Sequence, residues 1–140
     1  MKRIEIIFLF SSLLVTYSCD KYPFLPDDYS KSFLGDWNWI GTSCPFGGYY
    51  LDADSVDYTI SLTFAKNGKY YRYKNDSLII SSNYHFDFDQ IINDRNRYTL
   101  TVDNDPQTYQ AFISSYNNKE FLVISEKVSD TCEEYFYREQ

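Results

Sequence analysis

The chain is predicted to be all-β, an eight-stranded antiparallel up-and-down β-barrel, and three observations carry that prediction. Aromatic residues make up 20% of it, with 15 Tyr and 11 Phe, and aromatic side chains suit a pleated, half-buried surface. From residue 33 onward the apolar positions alternate with polar ones, a period of two rather than the helical 3.6. Short Asn, Asp and Gly pairs separate the alternating runs, and no proline falls inside any of them.

The first strand is placed at 34–42. The clearest alternation follows at 56–64, where Val56, Tyr58, Ile60, Leu62 and Phe64 share one face and Asp57, Thr59, Ser61 and Thr63 the other. Asn67-Gly68 reads as a two-residue type I′ hairpin, and 69–74 as the returning strand. After a turn at Asn75-Asp76 the run 77–88 presents Leu78, Ile80, Tyr84, Phe86 and Phe88 on one side, with a bend or bulge expected at Ser81-Ser82-Asn83. Strands at 97–102, 108–115, 120–125 and 131–138 complete the set, with a turn at Asn117-Asn118. Closing such a meander removes exposed sheet edges. The same strands could also stack as a sandwich, and alternation does not separate the two.

The 140 residues fit a single domain. With 13 basic and 20 acidic side chains the formal charge is −7, which argues against nucleic acid, whose affinity comes largely from Lys and Arg on phosphates. Residues 1–18 read as an address rather than fold: Lys2 and Arg3 precede an apolar stretch at 6–15, shorter than the ~20 residues that span a bilayer. Ser18-Cys19 then meets polar Asp20-Lys21. This segment resembles a bacterial lipoprotein signal, in which Cys19 is lipidated and becomes the mature N-terminus; Thr16 and Tyr17 depart from the usual pattern. The resemblance implies a lipid anchor in the outer membrane of a Gram-negative envelope, with the periplasmic or surface face open. The other reading is an ordinary secretory signal with Cys19 a spare thiol. Residues 19–32, with Pro23 and Pro26, read as a tether, leaving 33–140 as the domain.

Gly35-Asp36-Trp37, ahead of the first strand, looks like the G-x-W motif of lipocalins. The span 33–140 resembles the small bacterial lipocalin-like lipoproteins, with their N-G hairpin and late Cys before an aromatic final strand, here Cys132-Glu-Glu-Tyr-Phe-Tyr137. The resemblance implies that Trp37 plugs the barrel base under Arg138. Eight strands either fill with side chains or hold one small ligand. By the same resemblance, 43–55, with Phe46, Tyr49 and Tyr50, is a lid over the mouth; the other reading is that these aromatics cap a filled core. Trp39, Phe46, Tyr49, Tyr50, Tyr58, Ile60, Tyr84 and Phe86 are the candidate ligand-binding residues. If the last strand closes on the first, Cys44 and Cys132 meet at one rim, where an oxidising compartment permits a disulfide. Two unpaired thiols or an intermolecular bridge are the alternatives.

Catalytic chemistry finds little footing. His85 is the sole histidine and no G-x-S-x-G elbow surrounds any serine. His85, Asp87 and Asp89 share a strand face that reads as a solvated exterior. Asp52, Asp54 and Asp57, and separately Asp103, Asn104 and Asp105, lack the EF-hand spacing and read as turn chemistry. Lys66, Lys69, Arg72 and Lys74 read as a solubilising exterior. The expectation is therefore a monomeric binding protein with no metal or cofactor. Its partner is a small hydrophobic ligand or, alternatively, a glycan or protein bound at the surface of a filled barrel.

Overall fold

Asparagine and aspartate turn this chain. Asn75-Asp76, Asn93-Asp94 and Asn117-Asn118 all adopt positive φ at both positions, the two-residue geometry whose twist matches paired strands. The computed structural model describes residues 30–127 and 132–139. These contain strands β1 (Gly35–Cys44), β2 (Tyr49–Asp52), β3 (Ile60–Phe64), β4 (Lys69–Lys74), β5 (Ser77–Ile92), β6 (Arg95–Val102), β7 (Thr108–Tyr116), β8 (Lys119–Glu126) and β9 (Glu133–Glu139). All neighbours pair antiparallel, and β9 returns to β1, with Asn38 opposite Tyr137 and Ser43 opposite Glu133. The eight long-range strands thus form a closed up-and-down barrel, as predicted, and the sandwich is excluded. The expected signal, Cys19 and the tether up to residue 29 lie outside the described residues.

Four local features differ from expectation. The Asn67-Gly68 hairpin is not type I′: only Gly68 has positive φ, at 77°. Gly68 N–H donates to the Ala65 carbonyl at 3.0 Å and Ala65 N–H to Lys69 at 2.8 Å. This is a type I turn completed by a left-handed glycine, the second common way to match strand twist. The bulges of β5 fall at Ile79 and Asp89 rather than at 81–83, since Arg72 and Tyr73 face Ile80 and Leu78, and Phe88 and Gln90 face Tyr98 and Arg97. The 43–55 segment is not an irregular loop. Gly41 to Cys44 pair with Asp52 to Tyr49, so β2 is a hairpin extension of the wall. Finally, Ser30–Phe33 is a 3-10 helix, so ordered structure begins inside the stretch expected to be tether.

Strand β5 sets the tilt. Its residues 77–83 pair with β4, and its residues 84–92 with β6. One strand therefore spans two levels of the barrel. Phe33, Trp37, Leu62, Phe64, Tyr84, Phe86, Tyr98, Leu122 and Phe136 pack in the half where β1 begins and β9 ends. Phe33 stacks on Phe86 at 4.0 Å between ring centres, and Phe64 contacts Tyr84 and Phe86 at 5.0 and 5.2 Å. On the outer face Phe112, opposite Val123, is shielded from water by the Arg97 guanidinium 3.8 Å from its ring.

Candidate functional site

The two ends of the barrel are built differently. At the closed end Trp37 is fully buried, and its Nε1–H donates to the Phe33 carbonyl at 2.8 Å. The Arg138 guanidinium lies 4.2 Å from the Trp37 ring. Its remaining donors go to Glu120 at 2.6 Å, to the Ser32 carbonyl at 2.7 Å and to the Leu34 carbonyl. Arg138 therefore fastens the 3-10 helix across the barrel base, and that helix in turn presses Phe33 into the core. Gly35, with φ at 110° and Arg138 only 3.3 Å from the position of a Cβ, leaves room for this clamp.

At the other end the interior is hollow. A cavity of about 940 Å³ is lined by Tyr70 and Arg72 of β4, Ile79 to Ser82 of β5, Leu100 and Val102 of β6, residues 103–106 of the following loop, and Tyr109, Ile124, Glu126 and Glu134 of the last three strands, with Thr42 and Cys132. It exceeds the ~300 Å³ at which ligand pockets begin. Beyond Val102 strand β6 stops, so β5 residues 77–81 have no ladder partner on that side and the wall gives way to the loop. Ser82 Oγ donates to the Asp103 carbonyl at 2.6 Å and Asn83 Nδ2 to the Asp103 carboxylate at 2.8 Å, pinning the loop to β5.

A charged pair crosses the lumen. Arg72 on β4 and Glu134 on β9, which are not neighbouring strands, meet in a two-point contact at 2.6 and 3.0 Å. Burial works against the guanidinium charge, but Glu134 overrides it and Arg72 holds its proton more tightly than a free side chain. Burial pushes the Tyr70 hydroxyl up, against the pull of Arg72 beside it. Tyr109 is likewise raised, by burial and by the Asp105 carboxylate that accepts its O–H at 2.7 Å. Membership of a run of basic residues around one hairpin put Arg72 with the exterior lysines. It faces inward because Arg72 pairs with Leu62 and Ile80, both on the core side of their strands.

None of the eight sequence-chosen ligand residues lines this cavity. Tyr84 and Phe86 belong to the packed half. Trp39 is buried under Tyr58, ring centres 6.0 Å apart, with its Nε1–H donating to Thr42 at 3.1 Å. Tyr58 is covered from outside by Lys74 at 4.3 Å, and Ile60 packs against the core edge. Phe46 is 80% exposed and Tyr49 and Tyr50 are exposed with it. These three stand on the outward hairpin. Further along the chain, Val56 and Tyr58 pack against the core.

The disulfide joins Cys44 to Cys132, Cα atoms 4.1 Å apart, at the rim of the open end. His85 Nε2 lies 2.9 Å from Asp87, both side chains about two-thirds exposed (64% and 65%), and Asp89 pairs with Lys127 at 3.3 Å. Asp52 accepts from the Ser55 N–H at 3.0 Å and Asp105 from the Gln107 N–H at 2.9 Å, the turn chemistry expected of them. Among the described residues no cluster of three or more His, Cys, Asp or Glu could hold a metal ion. No helix among them is long and apolar enough to cross a membrane. Compared with protein families, curated proteins and solved structures, the chain matches none.

Proposed function

We infer that this is a lipid-anchored envelope lipoprotein whose lipocalin-like barrel binds a small, largely apolar ligand without chemistry. The observation that carries the binding reading is the cavity itself, about 940 Å³ inside a closed barrel and walled by Ile79, Ile80, Leu100, Val102 and Ile124. Polar and charged side chains share the lining with this aliphatic wall, among them Tyr70, Arg72, Tyr109 and Glu134. A non-catalytic role is supported by His85, whose contact with Asp87 is on the solvent side, away from any pocket where a nucleophile and base would meet.

Native mass spectrometry of the protein purified from the envelope, before and after organic extraction, tests the binding reading. A co-purifying mass that Val102→Trp removes supports it, and a single apo mass for both proteins rejects it. The anchor is tested by metabolic labelling with a fatty-acid probe, where label on the wild type and none on Cys19→Ser is expected. The exposed aromatics Phe46, Tyr49, Tyr50 and Tyr116 favour a second reading, a glycan- or protein-binding surface, which a blank glycan array would weaken.

A further inference from the structure

We propose that the open rim of the barrel docks on a zwitterionic lipid bilayer, which sets the mouth of the cavity against the membrane. Two apolar lips stand at that rim. One is the β1–β2 hairpin, where Phe46, Tyr49 and Tyr50 are exposed. No residue from Trp37 to Leu51 is charged, in a chain with 24% charged residues. The other lip is the start of β5, three strands round the barrel from β1, where Leu78, Ile79 and Ile80 are all exposed. The bulge at Ile79 breaks the alternation, so Ile79 and Ile80 both line the hollow. Apolar surface therefore continues from the rim into the cavity.

The chemistry of the lips selects the partner. Tyr and Phe rings on a hairpin suit the headgroup level of a bilayer, with the ring body toward the chains and the Tyr hydroxyl in water. The aliphatic lip offers a sugar no ring to stack on, which sets it against a glycan. Neither lip carries a Lys or Arg to attract an anionic leaflet, and Asp52 and Asp76 flank them, so a surface without net charge is the match. The length of chain ahead of the barrel permits the contact. The 3-10 helix that starts at Ser30 is held at the closed end by Arg138. Cys19 precedes Ser30 by eleven residues (30 − 19), a reach of at most ~40 Å. Strand β1, with 10 residues, rises ~33 Å along itself and less along the barrel axis. An anchor at Cys19 thus lets the far rim turn onto the same bilayer, a step that rests on the lipoprotein reading above.

The test puts a tryptophan on the rim, by Phe46→Trp, and another at the closed end, by Tyr116→Trp where β7 finishes; both sites are exposed. Full-length protein purified from the envelope is incorporated into phosphatidylcholine vesicles with brominated acyl chains. Flotation and tryptophan emission are read on the same samples, with the parent supplying the signal of buried Trp37 and Trp39. Phe46→Trp is expected to be quenched at least about twofold more than Tyr116→Trp. Adding Leu78→Asp, a charge on the other lip, should cut that quenching by about half or more. Flotation with Phe46→Trp quenched no more than Tyr116→Trp overturns the docking surface and leaves the lipoprotein reading standing. Glycan binding that Tyr50→Ala abolishes, with Phe46→Trp unquenched, gives the hairpin to that partner instead. Quenching that Leu78→Asp leaves unchanged removes the β5 lip, and with it the two-lipped surface. Protein that does not float with the vesicles overturns both readings.

Discussion

Removing the disulfide is expected to weaken the protein without opening its barrel. Cys44 and Cys132 are 88 residues apart in sequence, so the cross-link denies the unfolded chain nearly all its long-range freedom. The loop-entropy relation gives roughly 4–5 kcal/mol for a loop of that length. Set against the ~5–15 kcal/mol typical of whole domains, that is a large share. The native seam does not depend on the bond, because Asn38, Trp39, Gly41, Thr42 and Ser43 pair with β9 independently. Cys44→Ala/Cys132→Ala should therefore keep the near-ultraviolet circular dichroism of its buried Trp37 and Trp39 while its urea midpoint falls. Its denaturant slope should rise, since an unlinked unfolded chain exposes more surface. A double variant within about 1 kcal/mol of the parent would refute the entropic reasoning. A changed tryptophan spectrum would refute the claim that the seam closes unaided.

Three further outcomes follow from the core. Phe33→Ala should cost about 3–5 kcal/mol in chemical denaturation, as for other buried aromatics, because Phe33 is fully buried and stacks on Phe86; a loss under about 1 kcal/mol would show that the 3-10 helix is dispensable. Arg72→Met alone should destabilise by up to about 3 kcal/mol, the low end for a broken buried pair, given side chains 20% and 28% exposed. Arg72→Met/Glu134→Met should recover most of that, and a double-mutant cycle with no coupling would deny the cross-barrel contact. Burial holds Tyr84 up at about 12, against 10.0 for a free tyrosine. Its raised value adds stability that is fully present below pH 10 and lost as pH climbs through 12. Tyr84→Phe should flatten that alkaline decline, and an equal decline in both proteins would discount it.

The fold was legible because barrel strands are specified locally. Period-two alternation gives the inward face, and Asn-Asp and Asn-Asn pairs give the turns. β4 is found at 69–74, where the strand returning from the Asn67-Gly68 turn was placed. What alternation missed is non-local. Strand β2 consists of Tyr49 to Asp52, which lack an apolar-polar rhythm and form a strand only by pairing with Gly41 to Cys44. Gly41 is part of the reason: a Cβ there would lie 2.9 Å from the Leu51 carbonyl oxygen and 3.1 Å from the Tyr50 hydroxyl. The 3-10 helix is held by Arg138, about a hundred residues downstream (sequence separations of 104 and 106), a contact that no local pattern around Ser30–Phe33 announces.

The site was less legible because a face is not a depth. Tyr84 and Phe86 share the inward face of β5 with Ile80 and Ser82, yet the first two sit in the packed half and the second two line the hollow. Tilt and stagger decide which level a residue occupies, and these follow from pairings across the whole sheet. A second gradient lies in side-chain size. Inward positions shrink from Trp37 to Thr42 on β1, from Phe86 to Ser82 on β5, and from Tyr98 through Leu100 to Val102 on β6. On β9 the large Phe136 gives way to charged Glu134. A barrel under selection only to fill its core has no reason to taper on four strands toward the same end. On the proposed binding reading the taper divides the tasks: large side chains at the closed end fill the tube, while small and charged ones at the other leave room. Val102→Trp therefore reverses one step of the gradient where space already exists, and should abolish ligand uptake while leaving the urea midpoint near that of the parent.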